Sequence, residues 1–231
     1  MKGTIYLIPV TLGDNNFKKV IPEEVIEIIK KIRFFVVEEI RTARRFLRII
    51  DKDFPIDDST FYVLNEHSDG NNLEEIIKPA LEGNDMGVMS EAGLPCIADP
   101  GSIFVKYAHT KELQVSPLVG PSSIILALIS SGFNGQNVTF NGYLPVKPED
   151  RSKKIKELER LSKRGTTQIF METPYRNQKM VDSILETCDN DTLLCIATDI
   201  TLPTEQIVTR KISYWKKHIP NVKNRYVIYV I

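Results

Sequence analysis

The residues best placed to do chemistry lie between 90 and 101: Ser90-Glu91-Ala92-Gly93-Leu94-Pro95-Cys96-Ile97-Ala98-Asp99-Pro100-Gly101. They follow a short apolar run, 86–89, that reads as a buried strand, and they lead into 102–108, which reads as a helix. In a parallel sheet the end of a strand is where ligands bind. Gly93 and Gly101 let the backbone approach a ligand closely, and Pro100 stiffens the start of the helix. A second turn, Gly120-Pro121-Ser122-Ser123, opens a helix whose first amides favour negative charge, such as a ligand carboxylate. Two further clusters carry titratable groups. Glu38-Glu39-Ile40-Arg41-Thr42 stands at a strand end, where a carboxylate positions a hydroxyl or takes its proton. The same carboxylates suit the start of a helix, where the dipole favours them. Glu172-Thr173-Pro174-Tyr175-Arg176 ends an apolar strand. There Arg176 suits a phosphate and Tyr175 a stacked base, while Pro174 also suits a first helical position.

These clusters need elements to hold them. Short apolar runs rich in β-branched or aromatic residues predict strands over 4–10, 33–38, 61–65, 87–90 and 113–118. Helical periodicity fills the gaps, over 22–31, 41–50, 73–81 and 102–110. This alternation predicts a parallel, doubly wound sheet. A second series follows, with helices over 124–130, 151–164 and 177–187 and strands over 138–142, 166–171 and 193–198. The runs 206–212 and 225–231 predict antiparallel strands that close a second, mixed sheet. The expected fold class is α/β in two domains, 1–117 and 118–231, with a cofactor cleft between them.

Within the 41–50 helix, Arg41, Arg44, Arg45 and Arg48 fall at i, i+3, i+4 and i+7, and Ala43, Phe46, Leu47 and Ile50 share another face. Such a stripe suits RNA phosphates and equally a solvated surface. Lys147, Arg151, Lys153, Lys154 and Lys156 form a second basic cluster, which Glu149, Asp150, Glu157 and Glu159 dilute.

Composition narrows the classes. Apolar residues make up 42% of 231 residues, enough for a sizeable core. The formal net charge is +0, so nucleic acid must be met by a local patch. Cys96, Cys188 and Cys195 are too few and too scattered for a disulfide framework, which points to the reducing cytoplasm. Neither the cysteines nor His67, His109 and His218 have metal-ligand spacing, so no metal is expected. The uncharged stretch 113–146 is cut by Pro117, Gly120, Pro121 and Gly132, and reads as a buried helix with polar ends rather than a membrane span. The amino-terminal apolar run is broken by Pro9 and reads as a strand rather than a signal peptide.

The 90–101 stretch resembles the S-[DE]-A-G-x-P-x-[IL]-x-D-P-G signature of the tetrapyrrole-methylase-like methyltransferases that use S-adenosylmethionine. Within them the chain is most similar to the branch that methylates a ribose 2′-hydroxyl of a cytidine in small-subunit ribosomal RNA. Four more matches follow that family in order along the chain: Leu7 to Asp14; Val119-Gly120-Pro121-Ser122-Ser123; Phe140 to Pro145 with Lys147 and Arg151; and Met171 to Arg176. The resemblance implies cofactor contacts at Leu12, Met89, Ser90, Glu91, Leu94, Ser122, Ser123 and Met171. For an RNA substrate the residues themselves offer Arg41, Arg44, Tyr175 and Arg176 as contacts and Glu39 or Glu172 as candidate base, with proton loss to water as the base-free alternative. The family usually has Asp where this chain has Glu91. The RNA branch's R-E-L-T-K-x-x-E is matched over 198–205 only by Thr201 and Glu205, so its Arg and Lys are missing.

The function expected on this resemblance is methyl transfer to RNA of the small ribosomal subunit by a cytoplasmic homodimer, with the Phe133 and Tyr143 regions contributing to self-association. The alternatives are a methylase of a small molecule or protein side chain on the same fold, and a protein that binds S-adenosylmethionine without turnover.

Overall fold

The computed structural model describes residues 1–13, 16–64 and 72–231. Asp14 and His67, and the last residue of the expected strand 61–65, lie outside the described residues. The chain forms two compact units, Met1–Ser122 and Ser123–Ile231.

In the first unit β1 (Thr4–Ile8), α1 (Glu23–Ile29), β2 (Phe34–Val37), α2 (Ile40–Ile50), β3 (Thr60–Val63), α3 (Leu73–Leu81), β4 (Met86–Met89), α4 (Gly101–Thr110) and β5 (Gln114–Pro117) alternate. Their sheet has the order β3-β2-β4-β1-β5, and every pairing is parallel. Successive strand residues face opposite sides. Ile8, Phe35, Val37 and Met89 therefore pack with Val25, Ile29, Phe46 and Leu47 of α1 and α2. Ile5, Val36, Met86 and Val88 pack on the other side with Ile76, Ile77, Phe104 and Ala108 of α3 and α4. A parallel sheet is stable when both faces are covered in this way. Each fully buried Ile, Leu or Phe contributes roughly 2 kcal/mol relative to exposure.

β1 and β4 are neighbours, yet the chain leaves them toward opposite faces, to α1 and to α4. Diverging connections open a crevice at the carboxyl ends of such strands. The first strand is shorter than its hydrophobic run, because Pro9 has no N–H to continue the ladder and the Val10 amide turns to Gly93 O.

The second unit contains α5 (Ser123–Ser131), β6 (Val138–Tyr143), α6 (Pro148–Lys163), β7 (Thr167–Glu172), α7 (Asn177–Thr187), β8 (Leu193–Thr198), β9 (Gln206–Lys211), α8 (Ile212–Trp215) and β10 (Val227–Val230). The sheet order is β6-β7-β10-β8-β9; β6 and β7 are parallel and the remaining pairs antiparallel. Ile155 and Leu158 of α6, Met180 and Ile184 of α7, and Ile212 and Trp215 of α8 cover one face, over Phe170, Leu194, Ile196, Val227 and Tyr229. α5 packs on β8, β9 and β10, where the Thr209 hydroxyl donates to Ser131 O at 2.7 Å.

Three details differ from the sequence reading. The final strand does not close an edge but lies between β7 and β8. α6 begins at Pro148 rather than 151, with Pro at its start and Glu149 and Asp150 in its first turn, where ring and dipole both favour them. Residues 118–122, expected to open the second domain, fall in the first unit: Leu118 N donates to Leu7 O at 3.0 Å and Gly120 lies against Pro9. No helix among the described residues is long and apolar enough to cross a membrane.

Candidate active site

Three loops meet at the carboxyl ends of β1, β4 and β5. The Val10 amide donates to Gly93 O at 2.9 Å. Gly93 has φ +71, and a Cβ on it would lie 3.0 Å from Leu12 Cδ2 and 3.1 Å from Pro121 O. At Gly120 a Cβ would fall 2.1 Å from Pro9 Cβ. Glycine at these two positions therefore lets the loops close on one another. Leu12, the 90–94 turn and the 120–122 turn are thereby brought together. Leu12, Met89 and Ser122 are buried, Ser90 and Leu94 half-buried, and Glu91 exposed.

Glu91 joins this cluster to the start of α2. Its Oε1 accepts the Thr42 hydroxyl at 2.6 Å, and its amide donates to Glu38 Oε1 at 3.2 Å. Glu38, at the end of β2, is thus the carboxylate that reaches the 90–94 turn. Glu39 is exposed and serves as N-cap of α2, its Oε1 accepting the Arg41 amide at 3.1 Å; this is the helix-start role open to it from sequence. Sequence reasoning missed the Glu38–Glu91–Thr42 contacts, since they depend on β2 lying beside β4.

Beyond Leu94 the chain is strained. Cys96 and Ala98 hold φ of 70 and 59, a region that non-glycine residues occupy at a cost. Asp99 Oδ1 accepts the Gly101 amide at 2.8 Å, while its Oδ2 is buried with no hydrogen-bond partner among the described residues. Burial, and then the Asp99 charge, push the Cys96 thiol up to about 12. Cys96 therefore stays protonated at neutral pH and is no nucleophile.

On α2 the spacing resolves as read: Ala43, Phe46, Leu47 and Ile50 are buried, and Arg41, Arg44, Arg45 and Arg48 are exposed. Arg44 lies over the Phe61 ring at 5.2 Å, and Arg48 donates to Lys52 O.

In the second unit Ser123 opens α5 and Met171 lies half-buried on β7. Glu172 is buried, and its Oε1 accepts Arg176 Nη2 at 2.6 Å, Arg176 Nε at 2.9 Å and the Thr173 amide at 2.7 Å. The hydrogen bond to Glu172 raises the Arg176 pKa above its ordinary value. Tyr175 is exposed, 5.3 Å from the Arg176 guanidinium. A second clamp, unread in the sequence, holds the 199–205 segment. Asp199 Oδ2 accepts Arg225 Nε and the Thr204 hydroxyl, both at 2.8 Å. Its Oδ1 accepts the Tyr226 amide at 3.1 Å. An arginine distant in sequence thus secures the segment in which the expected Arg and Lys are missing. Among the described residues no His, Cys, Asp or Glu group forms a metal-binding cluster.

A doubly wound parallel unit followed by a mixed-sheet unit matches the crystal structure of the methyltransferase CobJ, with a TM-score of 0.62, 14% identity, and coverage of 100% of this chain and 94% of that one. That likeness shows the fold. The sequence matches the family model of Tetrapyrrole (Corrin/Porphyrin) Methylases over residues 4–214. Similar curated proteins carry the name Ribosomal RNA small subunit methyltransferase I. That of Vibrio cholerae serotype O1 is 27% identical over 88% of this chain and 67% of its own length. That of Bacillus subtilis strain 168 is 29% identical over 91% and 68%. That of Xylella fastidiosa is 26% identical over 96% and 78%. Fold and sequence together define a class III methyltransferase that uses S-adenosylmethionine as methyl donor. The chain belongs to the tetrapyrrole (corrin/porphyrin) methylase family.

Proposed function

We propose that the protein methylates a ribose 2′-hydroxyl of a cytidine in small-subunit ribosomal RNA. The names of its curated relatives support an RNA acceptor, and the meeting of the three strand-end loops at Gly93 carries the cofactor assignment. Those loops suit the cofactor's chemistry. They present backbone donors and acceptors, one exposed carboxylate oriented by Thr42, and apolar walls from Leu12, Met89 and Leu94.

When bound, S-adenosylmethionine supplies an electrophilic methyl group on a sulfonium. The side chains' task is to bind, orient and exclude water. Ser90, Glu91 and the Gly93 turn hold the adenosyl part, with Glu91 accepting from a hydroxyl or amide. Ser122 lies where amides favour a ligand carboxylate. Ser123 and Met171 are assigned to the cofactor on the family resemblance alone. Arg41, Arg44 and Arg176 hold phosphates and Tyr175 stacks on a base. Holding an acceptor hydroxyl in line lowers the barrier by roughly 7–11 kcal/mol. Proton removal from that hydroxyl falls to Glu39 or Glu172. Glu172 Oε1 is already engaged by Arg176, whereas Glu39 is exposed and bound to one amide. The base identifies itself by its glutamine variant, which should lose about 10²–10⁴-fold in rate with cofactor affinity kept.

In this reading the protein acts in the cytoplasm as a homodimer. Ile125 and Ile129 stay exposed on α5, which supports a self-association surface there, and sedimentation measures it. The deciding experiment incubates the protein with labelled cofactor and undermodified 30S particles, then digests the RNA to nucleosides. Label in 2′-O-methylcytidine is expected. Label in no RNA overturns the ribosomal reading.

A further inference from the structure

The carboxyl end of the second unit's sheet bears more aromatic surface than the reading above uses. Tyr143, Tyr175 and Tyr226 are 53%, 68% and 57% exposed. Tyr143, the last residue of β6, is in register with Met171 on β7. Tyr226 immediately precedes β10, whose Val227 pairs with Glu172, the last residue of β7. Tyr143 and Tyr226 therefore stand on the two strands flanking β7, at the level where β7 ends. Tyr175 follows in the turn beyond. The Arg176 guanidinium lies 5.3 Å from the Tyr175 ring.

The backbone under these rings is fixed at several points. The Tyr226 amide donates to Asp199 Oδ1 and its carbonyl accepts the Asp199 amide at 2.8 Å. The Asn224 amide donates to Pro174 O at 3.0 Å, and Asn177 Nδ2 donates to Arg225 O at 2.7 Å. Rings on a fixed backbone lose little conformational freedom on contact. The charges beside them cancel in pairs, Arg176 with Glu172 and Arg225 with Asp199. With both arginines already bound to carboxylates, the ring faces are the larger unused contact surface here. Exposed aromatic faces beside arginine are what unpaired bases stack on.

We propose that Tyr143, Tyr175 and Tyr226 form a stacking platform for the unpaired bases of a single-stranded RNA segment. This deepens the RNA reading above and rests on it for the identity of the ligand. The platform is built for splayed bases, so it selects a loop or melted strand over a duplex.

The test uses the full chain and a single-stranded oligoribonucleotide carrying the fluorescent base 2-aminopurine, with its duplex as comparison. Stacking quenches that base directly. The expected result is quenching of the single strand, weaker binding of the duplex, and about a tenfold loss of affinity for Tyr143→Ala and for Tyr226→Ala. Tyr226→Phe should restore both quench and affinity. The dependence on salt should be shallower than a phosphate-contact site gives. Unchanged quench in a folded Tyr143→Ala/Tyr226→Ala protein overturns the platform. So does equal affinity for the duplex, or an effect of Tyr143→Ala confined to oligomeric state. Methyl transfer to 30S particles is measured in parallel. Transfer without tyrosine-dependent quench defeats the platform and keeps the ribosomal reading. Tyrosine-dependent quench without transfer defeats the ribosomal reading and keeps the platform.

Discussion

Glu91 links two parts of the first unit's crevice, since its carboxylate takes the Thr42 hydroxyl while its amide reaches Glu38. Glu91→Ala is expected to weaken cofactor binding about tenfold, roughly the loss of one charge-assisted hydrogen bond; calorimetry reads it, and unaltered affinity removes Glu91 from the site. Glu172→Gln removes the counter-charge of the partly exposed Arg176 guanidinium and should cost about 1.5 kcal/mol in urea unfolding. The thiols set a different dependence. Burial pushes Cys96 and Cys188 up to about 12, from the ordinary thiol range near 9 in the unfolded chain. A raised thiol favours the folded state's protonated form, so its contribution is whole below about pH 9 and declines as pH rises toward 12. Stability should therefore fall over that alkaline window, with a shallower fall in Cys188→Ala. At this scale the sequence was only partly legible. Two adjacent carboxylates, Glu38 and Glu39, cannot be told apart by type or spacing. Their roles separate only because β2 lies beside β4, which presents Glu38 to the 91 amide and leaves Glu39 to cap α2.

Among the elements, the loops after β1, β4 and β5 depend on closeness of backbone. Gly120→Ala would place a Cβ 2.1 Å from that of Pro9. The 120–122 turn must then withdraw, and cofactor binding should fall with stability, as calorimetry and thermal melts would show. Ala98→Gly acts in the opposite sense, relieving a left-handed alanine. It should stabilise by up to about 1 kcal/mol, the left-handed cost less glycine's added chain entropy. Most elements could be read from periodicity: α3, α7 and β8 have the expected bounds. What failed did so for nameable reasons. The short helix α8 is a single turn, too brief for a period, and it begins at Ile212, the last residue of the expected strand 206–212. α6 starts three residues before the expected 151, because Pro148 occupies a first helical position where its absent N–H costs nothing.

For the molecule as a whole, two α/β units were legible because the alternation of strands and helices changes character in the final third of the chain. Strand order was not, since apolar runs carry no label for their neighbours. The seam between the units falls at Ser122–Ser123. Leu118 is 8% exposed and packs in the first unit's core. A 1–122 fragment should accordingly resist urea better than a 1–117 fragment by about 2 kcal/mol, the value of one buried leucine; equal stability would relocate the seam. The central position of β10 has a further consequence, in time rather than space. It threads between β7 and β8, each of which needs it for its ladder. During synthesis β7 and β8 leave the ribosome long before Val227–Val230 does. Until then the second sheet stands open as two unjoined halves with bare edges, exposed to mispairing. The first unit, whose strands are all made earlier, has no such wait and can be complete while the second is still being held open.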